Sequence, residues 1–160
     1  MVRFVLVLAA VLTFAPAVLS AQDPQGTAPS EHLLLAPNEL QWSAGPASLP
    51  AGARVAVLEG NPAEPGPFTI RLEMPDGYQI PPHWHPGIEH VSVLSGVFVV
   101  GQGEEVNTDR MKELPQGGFM MMPPEMPHYA HTRGETVLQL HGMGPWGITY
   151  IDPADDPRRQ

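Results

Sequence analysis

The chain contains no cysteine. That excludes disulfide staples, thiol catalysis and a lipid-modified N-terminal cysteine in one stroke. It has a single lysine, Lys112, so Schiff-base chemistry would have one candidate only. No Gly-x-Ser-x-Gly elbow surrounds Ser43, Ser92 or Ser95, which removes the usual serine hydrolase. Glycine-rich phosphate loops are missing; Gly101-Gln102-Gly103 reads as a turn. Asp152, Asp155 and Asp156 lack the spacing of a calcium loop. No capped stretch is long enough for a helix, the nearest being a turn around Asp109–Leu114.

What is present begins with a secretory signal over residues 1–21. Arg3 supplies the positive start, Phe4–Phe14 is apolar apart from Thr13, and Pro16, Ala17, Ser20 and Ala21 form a cleavage region. The apolar run reaches Leu19 only through Pro16, short of the roughly 20 residues of a membrane span. The expectation is an exported protein, periplasmic or secreted, with no membrane attachment after cleavage behind Ser20 or Ala21. Removing Met1–Ser20 takes away Arg3 and no acid, leaving 7 basic against 17 acidic residues and a net charge of −10. No basic patch survives, which argues against nucleic acid and anionic membranes as partners. Residues 22–38 read as a polar, proline-bearing flexible leader, 39–154 as one folded domain and 155–160 as a C-terminal tail.

The domain is a series of short apolar runs separated by Pro and Gly. They are Glu39–Ser43, Arg54–Glu59, Phe68–Met74, Pro82–His85, Glu89–Leu94, Val97–Gly101, Phe119–Met122, His128–His131, Thr136–His141 and Ile148–Ile151. Phe68, Ile70, Leu72 and Met74 alternate with Thr69, Arg71 and Glu73, the period of a half-buried strand. Many short strands at this spacing predict an all-β antiparallel sandwich or barrel.

Five of the seven histidines lie between positions 83 and 131. His83, His85 and Glu89 share one parity, so on an extended strand they project to one face. Imidazoles at i and i+2 sit about 6.5–7 Å apart, close enough to converge on one ion. Two nitrogens and a carboxylate suit one divalent transition metal, with Fe, Mn, Ni, Cu and Zn all open. His90 has the opposite parity and is expected to point away. A histidine-bearing surface loop is the plain alternative for any one of these residues taken singly.

These spacings resemble the cupin superfamily. Its first motif matches at Gly77, His83, His85, Glu89 and Gly96. Its second matches at Gly117, Pro123 and His128, with Glu125 where the family has a second Gly and Thr132 where it has Asn. Twenty residues separate Gly96 from Gly117. The tail GETVLQLHGMGPWGITYIDPADDP is also similar to that of small exported bacterial cupins. The resemblance implies a single-domain jelly-roll β-barrel with an irregular N-terminal arm and His83, His85, Glu89 and His128 as metal ligands. It further implies a small-molecule ligand or substrate beside the metal. A small-molecule metalloenzyme follows, an oxygenase first, with an isomerase, a lyase or a non-catalytic binding or structural protein as alternatives. Glu89 could leave the ion to act as a base.

On the late strand Val137, Gln139 and His141 share a face. Gln139 and His141 are expected to face the pocket as donors or proton carriers, against an equally weighted outward polar face. Arg71 could pair a substrate carboxylate, though an exposed ion pair with Glu73 or a neighbour is the stronger reading. Phe98, Phe119, Met120, Met121, Met122 and Tyr129 would supply apolar lining, while Trp84, His131 and the hydroxyl of Tyr129 turn away from the metal. The arm Ala44–Pro50 could form a homodimer contact by lying across a neighbouring barrel.

Overall fold

The computed structural model describes residues 32–159. The signal sequence and the first part of the leader lie outside the described residues. From position 43 the chain forms nine strands, β1 Ser43–Ala44, β2 Arg54–Glu59, β3 Gly66–Met74, β4 Gln79–Trp84, β5 Glu89–Gln102, β6 Lys112–Pro115, β7 Phe119–Met122, β8 His128–Gly144 and β9 Thr149–Tyr150. All pairings are antiparallel. The order β1-β2-β3-β8-β4-β9, with β5 joining β8 to β6 and β7, curls the sheet into a jelly-roll barrel. Among the described residues no helix is long and apolar enough to cross a membrane.

The alternation in β3 survives intact. Phe68, Ile70, Leu72 and Met74 are buried, and Thr69, Arg71 and Glu73 face out. Each buried member contributes about 1.5–3 kcal/mol relative to an exposed position. Arg71 donates Nε–H to Gln139 Oε1 across the outer face at 3.3 Å, while Glu73 pairs with Arg54 at 2.7 Å. Arg71 therefore has no part in the interior.

Two expected pairs of strands are single long ones. β5 unites Glu89–Leu94 with Val97–Gly101, and β8 unites His128–His131 with Thr136–His141. Their shared ladder shifts register around Ser95. Gly96 there has φ 74°, so the chain bends between the two halves of the barrel without breaking. Glu39–Ser43 is not a strand. Pro37–Glu39 is a 3-10 turn instead, closed by Glu39 Oε2 accepting the Ala36 N–H at 2.6 Å. β6 was not anticipated, because Lys112, Glu113 and Pro115 are exposed and only Leu114 is buried.

Both departures from the second motif find a structural answer. Thr132 Oγ1 accepts the Tyr78 N–H at 2.9 Å and donates to Pro75 O at 2.6 Å, fastening the turn that carries Gly77. Glu125 holds the glycine position by adopting φ 60°, the one positive φ outside glycine among the described residues. Its N–H donates to His85 O at 2.8 Å, which ties the second motif to the first. Left-handed backbone costs an ordinary residue about 1–2 kcal/mol, and glycine gives back about 0.5–1 kcal/mol in chain entropy. Glu125→Gly is therefore expected to stabilise the fold by roughly 0.5–1 kcal/mol. A urea midpoint that stays put or falls, at unchanged slope, would refute this.

The arm before β2 lies on its own barrel. Gly45 N–H donates to Ala53 O at 2.8 Å, and the Tyr150 hydroxyl donates to Ser48 O at 2.8 Å. The Tyr78 hydroxyl donates to Pro50 O. Burial raises both phenol pKa values, Tyr150 to about 12, so both stay protonated as donors at neutral pH.

Candidate metal centre

Three histidines meet at one end of the barrel. His83 is the penultimate residue of β4, where it lies opposite His128 at the start of β8 and Tyr150 of β9. His85 follows just beyond β4. The ladder shifts between Ile80 and His83, across Pro81 and Pro82, and this puts Ile80 and His83 on the same inner face although they are three apart. One nitrogen from each of His83, His85 and His128 lies within 4.8 Å of the others. All three rings are buried, at 3%, 7% and 2% exposure.

Glu89, at the start of β5 and also buried, joins them. Its Oε1 is 3.6 Å from His85 Nε2 and its Oε2 is 3.2 Å from His128 Nε2. His90 and His131 stay outside the cluster, as their parity predicts. The exposed ring of His141 does not reach it. Leu140, its neighbour in β8, faces the interior, so His141 and Gln139 turn outward, and the expectation that His141 serves the pocket is corrected here.

The hydrogen bonds orient the rings for a cation. Nδ1 of His83, His85 and His128 each contacts a backbone carbonyl, of Pro81 at 2.7 Å, Gly147 at 2.7 Å and Met126 at 2.9 Å. Each bond places the proton on Nδ1 and leaves the Nε2 lone pair free. The neutral His128 ring then has no proton to offer Glu89. His85 Nε2 and Glu89 Oε2 are buried and without a hydrogen-bond partner. Buried orphans of this kind are costly, and a metal ion would satisfy both. Imidazole and carboxylate donors together suit a divalent transition metal.

Burial, followed by the charges of His128 and His85, holds His83 well below the usual histidine value. Burial also lowers His85, against the pull of Glu89. For His128 burial acts downward too, but the Glu89 carboxylate, which would accept a hydrogen bond from the protonated ring and attracts its charge, outweighs it and the net shift is upward. His83 and His85, lowered in the fold, contribute stability that is full above about pH 6.5 and is lost as pH falls from there. His128, raised, contributes in the opposite sense and is the first ring a proton would claim. Metal affinity should therefore fall on mild acidification, by no more than about tenfold per pH unit, the limiting slope of one competing proton. Competition titrations between pH 8 and 6 that gave a thousandfold fall per unit would contradict it.

Above the cluster lies a cavity of about 300 Å³. The sheet supplies Val55, Ile70, Leu72 and Leu140, the arm supplies Pro46 and Leu49, and His83, His85 and Glu89 form the polar end. The lining expected from Phe98, Phe119, the Met120–Met122 run and Tyr129 is not found. Phe98, Met120 and Met122 are core, Phe119 and Met121 face solvent, and Tyr129 is buried with its hydroxyl bonded to Asn107. Trp146 was missed. Its ring stacks on His85 at 4.4 Å and 17° and meets Phe68 at 5.5 Å, so it forms one wall. Its setting, Gly144-Pro145-Trp146-Gly147, was the available signal.

A barrel with three inward histidines beside an apolar cavity is the arrangement of a metal-binding β-barrel. A family profile described as the ChrR cupin-like domain matches residues 30–147. The chain belongs to the cupin superfamily, within that family. A search of curated proteins finds no match. Among solved structures it is similar to the polyketide cyclase RemF from Streptomyces resistomycificus, at 15% identity and TM-score 0.63, covering 79% of this chain and 90% of that one. A protein of Methylibium petroleiphilum, provisionally assigned as an acetylacetone dioxygenase, matches at 19% identity and TM-score 0.61 over 79% and 85%. An RmlC-like cupin from Shewanella frigidimarina matches at 19% and TM-score 0.55 over 71% and 91%. At these identities the likeness concerns the fold.

Proposed function

We propose that His83, His85, His128 and Glu89 together hold one divalent transition metal, and that the protein is a small-molecule oxygenase. The observation that carries this reading is the cavity leading directly to the Nε2 face of the cluster. A purely structural ion needs no such access. The neighbours assigned as a dioxygenase and a cyclase are consistent with it.

Substrate character follows from the walls. Among the described residues no lysine or arginine lines the cavity, so the group there that would pair with a substrate carboxylate is the metal. The ligand that fits is compact and largely apolar, with one oxygen-bearing end such as an enolisable diketone, a phenol or an enediol. The metal, when bound, would supply Lewis-acid polarisation of that oxygen and a position for dioxygen. Leu72, Ile70 and Trp146 exclude water and orient the apolar body. Among the described residues Glu89 is the one carboxylate lining the cavity, and on leaving the ion it would be the base available to take an acidic proton from the substrate.

With His141 turned outward, the cavity offers no further histidine as an acid or base. That favours, as second reading, a protein that binds such a ligand through the metal without turning it over. Oxygen uptake by metal-loaded protein with β-diketone, phenol and enediol series separates the two. Uptake in proportion to metal content is expected. Saturable binding with no uptake by any member of the series would sink the oxygenase and leave the binder.

A further inference from the structure

The outer face of the sheet, across the wall from the cavity, carries metal-ligating side chains that the interior site does not use. His90 of β5 lies opposite His141 of β8 on one side and Met121 of β7 on the other. The three form a row across adjacent strands, whose spacing is about 4.8 Å. The His90 and His141 rings stack with centroids 4.8 Å apart and planes within 4°. Met143, two residues beyond His141 on the same face, is 61% exposed, and Met121 is 49% exposed.

Two further observations set this row apart from an ordinary polar surface. His90 Nδ1 is shielded from solvent and has no hydrogen-bond partner, an unusual state for an imidazole nitrogen. Thioethers half in water, flanking paired imidazoles, leave apolar surface uncovered without gaining packing. Both features are accounted for if a cation sits on the row. The rings stack in parallel, so each must turn about χ2 to aim a nitrogen at one ion at metal–nitrogen distances of about 2.0–2.1 Å.

The donor types choose the ion. Thioether sulfur and imidazole nitrogen select soft, low-charge metals and disfavour magnesium, calcium and manganese, which need carboxylates or carbonyls. We propose that His141, His90 and Met121, with Met143 in reserve, form a second site for a soft monovalent cation of the copper(I) class. It is separate from the interior centre, because Glu89 and His90 are consecutive in β5 and project to opposite faces.

Silver(I), redox-inert and of the same class, is the probe. Protein carrying its interior metal is titrated with Ag(I) against a competing chelator, and bound silver and resident metal are counted by elemental analysis. One equivalent of silver is expected to bind with the resident metal retained, and the His141 imidazole nitrogen resonances should shift. Met121→Leu and His141→Phe, both at outward positions, should each weaken silver binding at least tenfold. The double variant should lose it while keeping its melting temperature and interior metal. No silver equivalent, silver bound only by displacing the interior metal, or full binding by the double variant would each overturn the proposal.

Discussion

Replacing His83 and His128 together by alanine is expected to reduce bound metal from near one equivalent to a negligible fraction. The two face each other across β4 and β8, and their rings, 4.2 Å apart, are the closest pair in the cluster. Their removal leaves His85 and Glu89, two donors that cannot enclose an ion. The same variant should uncouple stability from metal. A ligand at about a thousand times its dissociation constant stabilises the folded state by about 4 kcal/mol. For a domain of this size that corresponds to roughly 15 °C in melting temperature. Wild-type protein should lose about that much on chelation, whereas the variant should melt at one temperature with or without chelator. Full metal loading by the variant, measured by elemental analysis, would remove these residues from the site.

The second large effect concerns backbone rather than ligands. Gly77 and Gly96 bracket the first motif and both have positive φ, at 70° and 74°. Their surroundings differ. A Cβ at Gly77 would meet nothing within 4 Å, whereas at Gly96 it would lie 2.4 Å from Glu135 O and 2.7 Å from Thr136 Cα. Gly77→Ala is thus charged with conformational strain alone, about 1–2 kcal/mol. Gly96→Ala adds a clash with the backbone of β8, and with overpacking of about 1–3 kcal/mol the total reaches roughly 2–5 kcal/mol. Urea unfolding of the two variants side by side tests the ordering. Equal losses would mean that β5 and β8 do not approach as closely as the structure places them.

Much of this protein could be read from local pattern, and the remainder depended on topology. The period of β3 is a property of a few consecutive residues, and it holds. His83, His85 and Glu89 do converge, but from β4, the loop beyond it and the start of β5 rather than from one face of a single extended strand. His128 is forty-three positions beyond His85, so bringing it into the cluster needed the motif resemblance. Parity alone divides Gln139 and His141 from Leu138 and Leu140 but does not say which face is interior. The apolarity of the two leucines was the better guide, and weighing it would have turned His141 outward. The Met120–Met122 run posed the same question, and its alternate members go opposite ways. β6 stayed hidden because it is an edge segment with one buried residue. Trp146 sits in a loop without periodicity, where the Gly-Pro-Trp-Gly setting marks a turn but only the ring stack on His85 shows what the indole does.

The wall formed by the arm gives the cavity an unusual dependence. Its cover is a stretch of main chain held by two phenol hydroxyls acting on the carbonyls of Ser48 and Pro50. Access to the histidine cluster is therefore linked to the integrity of the polypeptide between Ala44 and Ala53. A protease that nicks this stretch would open the binding chamber while leaving all four polar residues of the metal centre in place. Limited proteolysis thus becomes a way to change what the barrel admits without touching what it holds.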